Sequence, residues 1–68
     1  MRPNGSAIRA IRQARKVGLR GLAQQTGRDR SHLSRIERGE AGASDDTIQR
    51  IASALEVPLK AIIHKEAT

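Results

Sequence analysis

Residues 19–39 read Leu19-Arg20-Gly21-Leu22-Ala23-Gln24-Gln25-Thr26-Gly27-Arg28-Asp29-Arg30-Ser31-His32-Leu33-Ser34-Arg35-Ile36-Glu37-Arg38-Gly39, and the fold is decided there. The spacing predicts two short helices. The first covers 19–26, with Gly18 near its N-cap and with Leu22 and Ala23 turned inward. Gly21 weakens it by up to ~1 kcal/mol relative to alanine. Gly27 ends it, at a position where a left-handed backbone is wanted. Asp29 reads as the N-cap of the second helix, which runs from about Arg30 to Arg38 with Leu33 and Ile36 on its buried side. Gly39 closes it. Ala23 must be small because the second helix crosses close by, Gly27 lets the chain turn sharply, and Leu33 and Ile36 pin the second helix to the core.

Working outward, Pro3, Asn4 and Gly5 form a polar entry, and Ser6 is expected to N-cap a helix running to about Lys16. Ile8 and Ile11, with Ala7, Ala10 and Ala14, mark one face of it, and Arg9, Arg12 and Arg15 are interleaved. Downstream of Gly39 lies a small-residue connection, Glu40-Ala41-Gly42-Ala43. Ser44 then caps a fourth helix with Asp45 and Asp46 in its first turn, where the helix dipole favours negative charge. Ile48, Ile51, Ala52 and Leu55 give it an apolar face. Val57-Pro58 breaks it, and a fifth short helix is expected from Leu59 to about His64. No stretch alternates with period two, and there are no internal repeats. The expected architecture is a compact all-α unit of five helices in a single domain, 1–68, with a core of 6–65 and flexible ends at 1–5 and 66–68.

Composition narrows the function. The chain has 68 residues and no cysteine, so neither a disulfide framework nor a thiolate metal site is available. No apolar run approaches the roughly 20 residues that span a bilayer, and no signal peptide is visible; the expected location is the cytoplasm, with no membrane partner. Net charge is +6, and it is unevenly spread. Residues 1–38 hold ten basic and two acidic residues, a net +8, whereas residues 39–68 hold three basic and five acidic ones, a net −2. A basic block on one half of a small domain is the footprint of a polyanion partner. The chain contains no Phe, Tyr or Trp, which removes the stacking platforms of sheet-based RNA readers and single-strand grooves. A duplex, held by phosphates and groove edges, is the better candidate. The two short helices at 19–38 suit it, because a helix-turn-helix holds its second helix proud of the body to enter a major groove. If about five phosphates are neutralised, the log-log salt slope of binding should be roughly −4 to −5 per monomer.

Three segments resemble the Cro and lambda-repressor-like helix-turn-helix family, also called the Xre family: Leu22–Gly27, Ser31–Gly39 and Ile48–Leu55. The Leu33-Ser34-Arg35-Ile36-Glu37-Arg38-Gly39 run is the most specific piece, and Ile8–Arg12 is similar to the family's first helix. The resemblance implies a five-helix fold with the helix-turn-helix at helices 2 and 3. It also implies sequence-specific binding of double-stranded DNA by a transcriptional regulator, a repressor occupying its operator, commonly as a homodimer on a two-fold site. It assigns base reading to the exposed start of the third helix, here Arg30, Ser31, Ser34 and Arg35. Chemistry supports the arginines, since Arg bonds guanine O6 and N7 in bidentate fashion. Arg28 in the turn, Arg38 at the helix end and Arg20 at the start of the second helix fall at phosphate-contacting positions, beside that helix's backbone N-terminus. Arg12 and Glu37 match an ion pair that ties the first helix to the third. The chain departs from the pattern at Leu19, where Gln is frequent, at Arg28, where an apolar residue is usual, and at His32, where an aromatic is frequent.

Two other roles are compatible with the resemblance: an antitoxin that binds DNA and neutralises a toxin protein, and an adaptor that bridges to the transcription machinery. Catalysis is not expected, because Ser31 and His32 are neighbours in sequence and adjacent helical residues do not face each other. His32 and His64 lack further ligands at helical spacing, so no metal or other cofactor is expected. Leu59, Ile62 and Ile63 serve as core cover or as a dimer contact.

Overall fold

The apolar spacing resolves into four α-helices followed by a single 3-10 turn: α1 (Gly5–Ala14), α2 (Leu19–Thr26), α3 (Arg30–Glu37), α4 (Asp45–Leu55) and the turn Leu59–Ala61. The structure is a computed structural model that describes residues 1–64; the expected flexible end at 66–68 lies outside the described residues. Nine side chains form the core: Ile8 from α1, Leu22 from α2, Leu33 and Ile36 from α3, Ile48, Ile51, Ala52 and Leu55 from α4, and Ile62 beyond it. Every α-helix therefore contributes to one apolar centre built without aromatic rings. Leu19, Val17, Ile11 and Leu59 pack around its rim. Among the described residues, no buried side-chain nitrogen or oxygen lacks a hydrogen-bond partner.

α2 and α3 follow the sequence reading closely. Gly27 adopts φ 68° and its N–H donates to the carbonyl of Ala23 at 2.9 Å, which closes α2 and throws the chain into the turn. Thr26 is fully buried, and its hydroxyl donates back to the carbonyl of Leu22 at 2.8 Å, so its polar atom costs the core nothing. α4 begins as expected: the Ser44 hydroxyl accepts from the amide of Thr47 at 3.1 Å.

α1 differs from expectation. Its N-cap is Asn4, not Ser6: the Asn4 carboxamide oxygen accepts from the amide of Ala7 at 3.1 Å, and Ser6 lies inside the first turn, exposed. An Asn at this position satisfies an orphan helix donor as well as Ser does, and it lets the helix start earlier, at Gly5. That start is crowded. Gly5 is buried against the end of α3, and a Cβ on it would clash with the backbone carbonyl oxygens of Ile36 and Glu37.

The expected fifth helix is also corrected. After Pro58 the amides of Ala61 and Ile62 donate to Pro58 and Leu59, three residues back, at 2.9 and 3.1 Å. The chain then leaves helical geometry because Ile63 pairs antiparallel with Pro3. The Asn4 amide donates to the Ile62 carbonyl at 2.8 Å and the His64 amide to the Arg2 carbonyl at 2.9 Å. Residues 1–5, expected as a loose end, are thus fastened by backbone hydrogen bonds to the other end of the described chain. The cause is a contact between segments some sixty residues apart, of which neither segment carries a local sign.

Candidate nucleic-acid interface

α3 is held to the body from one side only. Leu33, Ile36 and Glu37 are buried, while Arg30, Ser31, Arg35 and Arg38 are exposed and Ser34 is half-buried. Positions 30, 31, 34, 35 and 38 share a helical face at a spacing of one, three, one and three residues. An α-helix with its side chains is about 10–12 Å across, which matches the width of a B-DNA major groove at about 12 Å. The four residues expected to read bases are therefore together on one outward face. Neither Arg30 nor Arg35 pairs with an acid among the described residues.

Glu37, on the opposite side of α3, anchors it. Arg12 Nε donates to Glu37 Oε2 at 2.7 Å and Arg12 Nη2 to Glu37 Oε1 at 3.1 Å, a bidentate pair; Arg12 Nη1 also donates to the carbonyl of Val17 at 2.9 Å. The two side chains are only 11% and 5% exposed. One guanidinium thus fixes α1, the turn after it and the end of α3.

The cations expected at phosphates divide. Arg20 is exposed on the first turn of α2 and carries no ion pair among the described residues. Arg38, the C-cap of α3, makes an exposed pair with Glu40 at 3.1 Å; such pairs are worth about 0.2–1 kcal/mol, so a phosphate can displace the carboxylate. Arg28 is turned elsewhere. Its Nε donates to the buried Thr47 hydroxyl at 2.8 Å and its Nη2 to Asp46 Oδ2 at 2.8 Å, so its guanidinium lies on the first turn of α4 rather than pointing outward. The turn position that is usually apolar is filled here by a half-buried arginine stem whose head finds acceptors on α4.

Asp46, expected only as a dipole-favoured acid in the first turn of α4, has partners that the sequence reading did not give it. It receives both Arg28 and Arg50, the latter through Nε at 2.9 Å, and Arg50 also reaches the carbonyl of Thr26 at the end of α2 at 3.3 Å. The i,i+4 spacing of Asp46 and Arg50 is the only local signal for this cluster.

Asp29, expected as the N-cap of α3, departs from that expectation in part. It occupies the N-cap position of α3 without forming a side-chain cap bond. Its carboxylate accepts instead from the Ser31 hydroxyl. That hydroxyl above all, with lesser help from the amides of His32 and Ser31, holds the Asp29 carboxyl below its ordinary range. A depressed carboxyl pKa means that the interaction is present above the ordinary carboxylate range and is lost only as pH falls through the lowered value. Asp29 is therefore ionised throughout the neutral range.

A core shared by four α-helices, with a short, one-sidedly anchored α3 behind a tight glycine turn, defines a lambda-repressor-like helix-turn-helix domain. The chain belongs to the helix-turn-helix domain family, whose match covers residues 5–61. The transcriptional repressor RghR of Bacillus subtilis is 36% identical over 62 residues, which span 90% of this chain and 46% of RghR. The restriction-modification controller protein C.AhdI of Aeromonas hydrophila superposes with a TM-score of 0.81 at 32% identity, over 84% of this chain and 86% of C.AhdI. SinR, a master regulator for biofilm formation solved in complex with DNA, superposes with a TM-score of 0.78 at 28% identity, over 84% of this chain and 95% of that one. The chain spans about half or less of the length of the curated relatives it matches, 46% of RghR and 38% of a Mycobacterium tuberculosis regulator. No helix among the described residues is long and apolar enough to cross a membrane.

Proposed function

We propose that this chain binds double-stranded DNA sequence-specifically as a transcriptional regulator, and that it represses by occupying its operator with α3 seated in the major groove. The observation that carries this reading is the outward face of α3, where Arg30 and Arg35 stand exposed without an acidic partner among the described residues. Arginine forks of this kind find their acceptors at guanine O6 and N7. Arg20 at the start of α2 and Arg38 at the end of α3 flank that face and serve the phosphates on either side. Ser34, half-buried, sits between the two arginines at the closest approach to the groove floor. A second copy completes a two-fold operator, with half-sites about one helical turn, roughly 34 Å, apart.

Selection of bound sequences from a random duplex pool tests the reading. The expected result is an enriched motif, palindromic if two copies bind. Arg35→Ala should relax one base position, at a cost of about 1–3 kcal/mol there, whereas Arg38→Ala should weaken all sequences about equally. A pool that enriches no motif would overturn base reading, and an Arg35→Ala variant that selects the parent's motif at the parent's stringency would remove that residue from it.

A further inference from the structure

The start of α3 carries an acid where a DNA-facing surface has reason to avoid one. Asp29 is exposed, directly before Arg30 and two residues before Ser31. An uncompensated carboxylate there repels phosphates, and its strongest side-chain interaction is not a cap bond to α3. Its one side-chain partner is the Ser31 hydroxyl, which donates its proton to Asp29 Oδ2.

A serine hydroxyl has one proton and two lone pairs, and left free it rotates to suit either a donor or an acceptor. Ser31 is not free. With its proton given to an ionised carboxylate, its oxygen has only lone pairs left to offer outward, and the remaining lone pairs of Asp29 add to the same acceptor-only patch. On either side stand Arg30 and Arg35, which have donors and no acceptors. In the major groove guanine presents acceptors at N7 and O6 and thymine at O4, whereas cytosine presents the N4 amino group and adenine the N6 amino group as donors. A patch that can only accept discriminates between these two sets; a free hydroxyl does not.

We propose that Asp29 fixes the polarity of Ser31, so that the first turn of α3 selects a base whose major-groove edge carries an amino group, cytosine or adenine, over guanine and thymine. The assignment rests on the reading that α3 enters the major groove. Asp29 is a positioning residue in it and Ser31 makes the contact. The charge of Asp29 is the energetic cost, and the adjacent Arg30, which has no acidic partner among the described residues, offsets it.

Duplex selection with the full chain and with two variants, Asp29→Ala and Ser31→Ala, separates the possibilities. In the parent, one position of the motif should be restricted to cytosine or adenine. Asp29→Ala frees the hydroxyl and should reduce that restriction about three- to tenfold, the scale of a single neutral hydrogen bond, with the guanine positions unchanged. Overall affinity should rise in this variant, because a negative charge is removed, so preferences are compared within each protein. Ser31→Ala should flatten the same position to a similar degree. A duplex in which that base is replaced by an analogue lacking the amino group should bind the parent more weakly by the same factor and Ser31→Ala equally well. Circular dichroism establishes that each variant is folded, and Asp29→Gly, which also removes the acceptor and is tolerated at a helix N-cap, stands in if the alanine variant is not.

A parent motif that neither variant alters would overturn the proposal while leaving base reading by α3 intact. Relaxation by Asp29→Ala alone would assign the contact to the carboxylate and overturn the route through the hydroxyl. A parent that enriches no motif would remove the underlying reading, and the proposal with it.

Discussion

Arg12 serves three acceptors from one side chain, two on Glu37 and one on Val17, at a site where Glu37 is 5% exposed. Removing one member of such a pair leaves the other charge buried and alone, which costs about 3–5 kcal/mol. Arg12→Ala and Glu37→Ala should both melt far below the parent, followed by far-UV circular dichroism because the chain has no Trp or Tyr to report by fluorescence. A loss under about 1 kcal/mol in both would show that the pair behaves as a surface one. Gly5→Ala belongs to the same scale but works by sterics. The added methyl meets two backbone carbonyls at the end of α3, and backbone cannot rotate aside as a side chain would. The expected loss is about 1–3 kcal/mol, read in the same melts, and an unchanged midpoint would mean that α1 slides to make room. The two residues differ in how visible they are beforehand. Arg12 and Glu37 fall at positions that are paired in the family the sequence resembles, so their pairing is legible through that resemblance. Gly5 sits in a Pro-Asn-Gly entry that reads as a turn, and only the packed α1–α3 contact shows why no side chain fits.

Helix ends separate what local sequence states from what it leaves silent. α2 and α3 finish on Gly27 and Gly39, at φ 68° and 75°, and both ends are readable from the glycines. α1 and α4 finish on Lys16 and Glu56, at φ 58° and 57°, in the same left-handed region. After α1 the Val17 amide reaches back to the Arg12 carbonyl at 3.0 Å and the Lys16 amide to Gln13 at 3.0 Å, the double closure that usually recruits glycine. A lysine in that conformation costs about 1–2 kcal/mol in sterics, of which glycine's greater unfolded-state entropy returns part. Lys16→Gly should therefore stabilise the domain by up to about 1 kcal/mol, raising the melting temperature by a few degrees, about 4–8 °C for a full kcal/mol. A lower midpoint would show that the lysine stem contributes packing. The stop after α4 was legible for a different reason, the Val57-Pro58 pair. What followed was not: the chain beyond Pro58 carries helix-compatible residues, and its conversion to one 3-10 turn is imposed by pairing with Pro3 from outside.

At the scale of the molecule, the charge asymmetry is clear in the sequence but the number of cations available to DNA is not. Of the ten basic residues in 1–38, Arg12 is buried in its pair with Glu37 and Arg28 is bound to α4. Removing Arg28 from the phosphate contacts lowers the count from about five to about four, for a log-log salt slope of roughly −3 to −4 per copy. Arg28→Ala should leave that slope unchanged and lower thermal stability, since Thr47 and Asp46 each lose one of their hydrogen bonds. A slope shallower by about one in this variant would put Arg28 on a phosphate after all. The sequence marks Arg28 as a surface cation in a turn; which way it leans depends on the distance from that turn to the first residues of α4, a tertiary quantity.

The two backbone hydrogen bonds that join Arg2 and Asn4 to Ile62 and His64 turn the described chain into something near a closed ring, in which the order of the helices matters less than their circular sequence. A gene recoded to begin at the exposed Gly42, between α3 and α4, and to run α4, a short linker, then α1, α2 and α3, would preserve every helix and the nine-residue core. Exposed connections are where such cuts are tolerated. For the same reason a second domain fused after His64 and one fused before Arg2 would leave the body from the same spot, so that either would swing from a shared pivot on the surface.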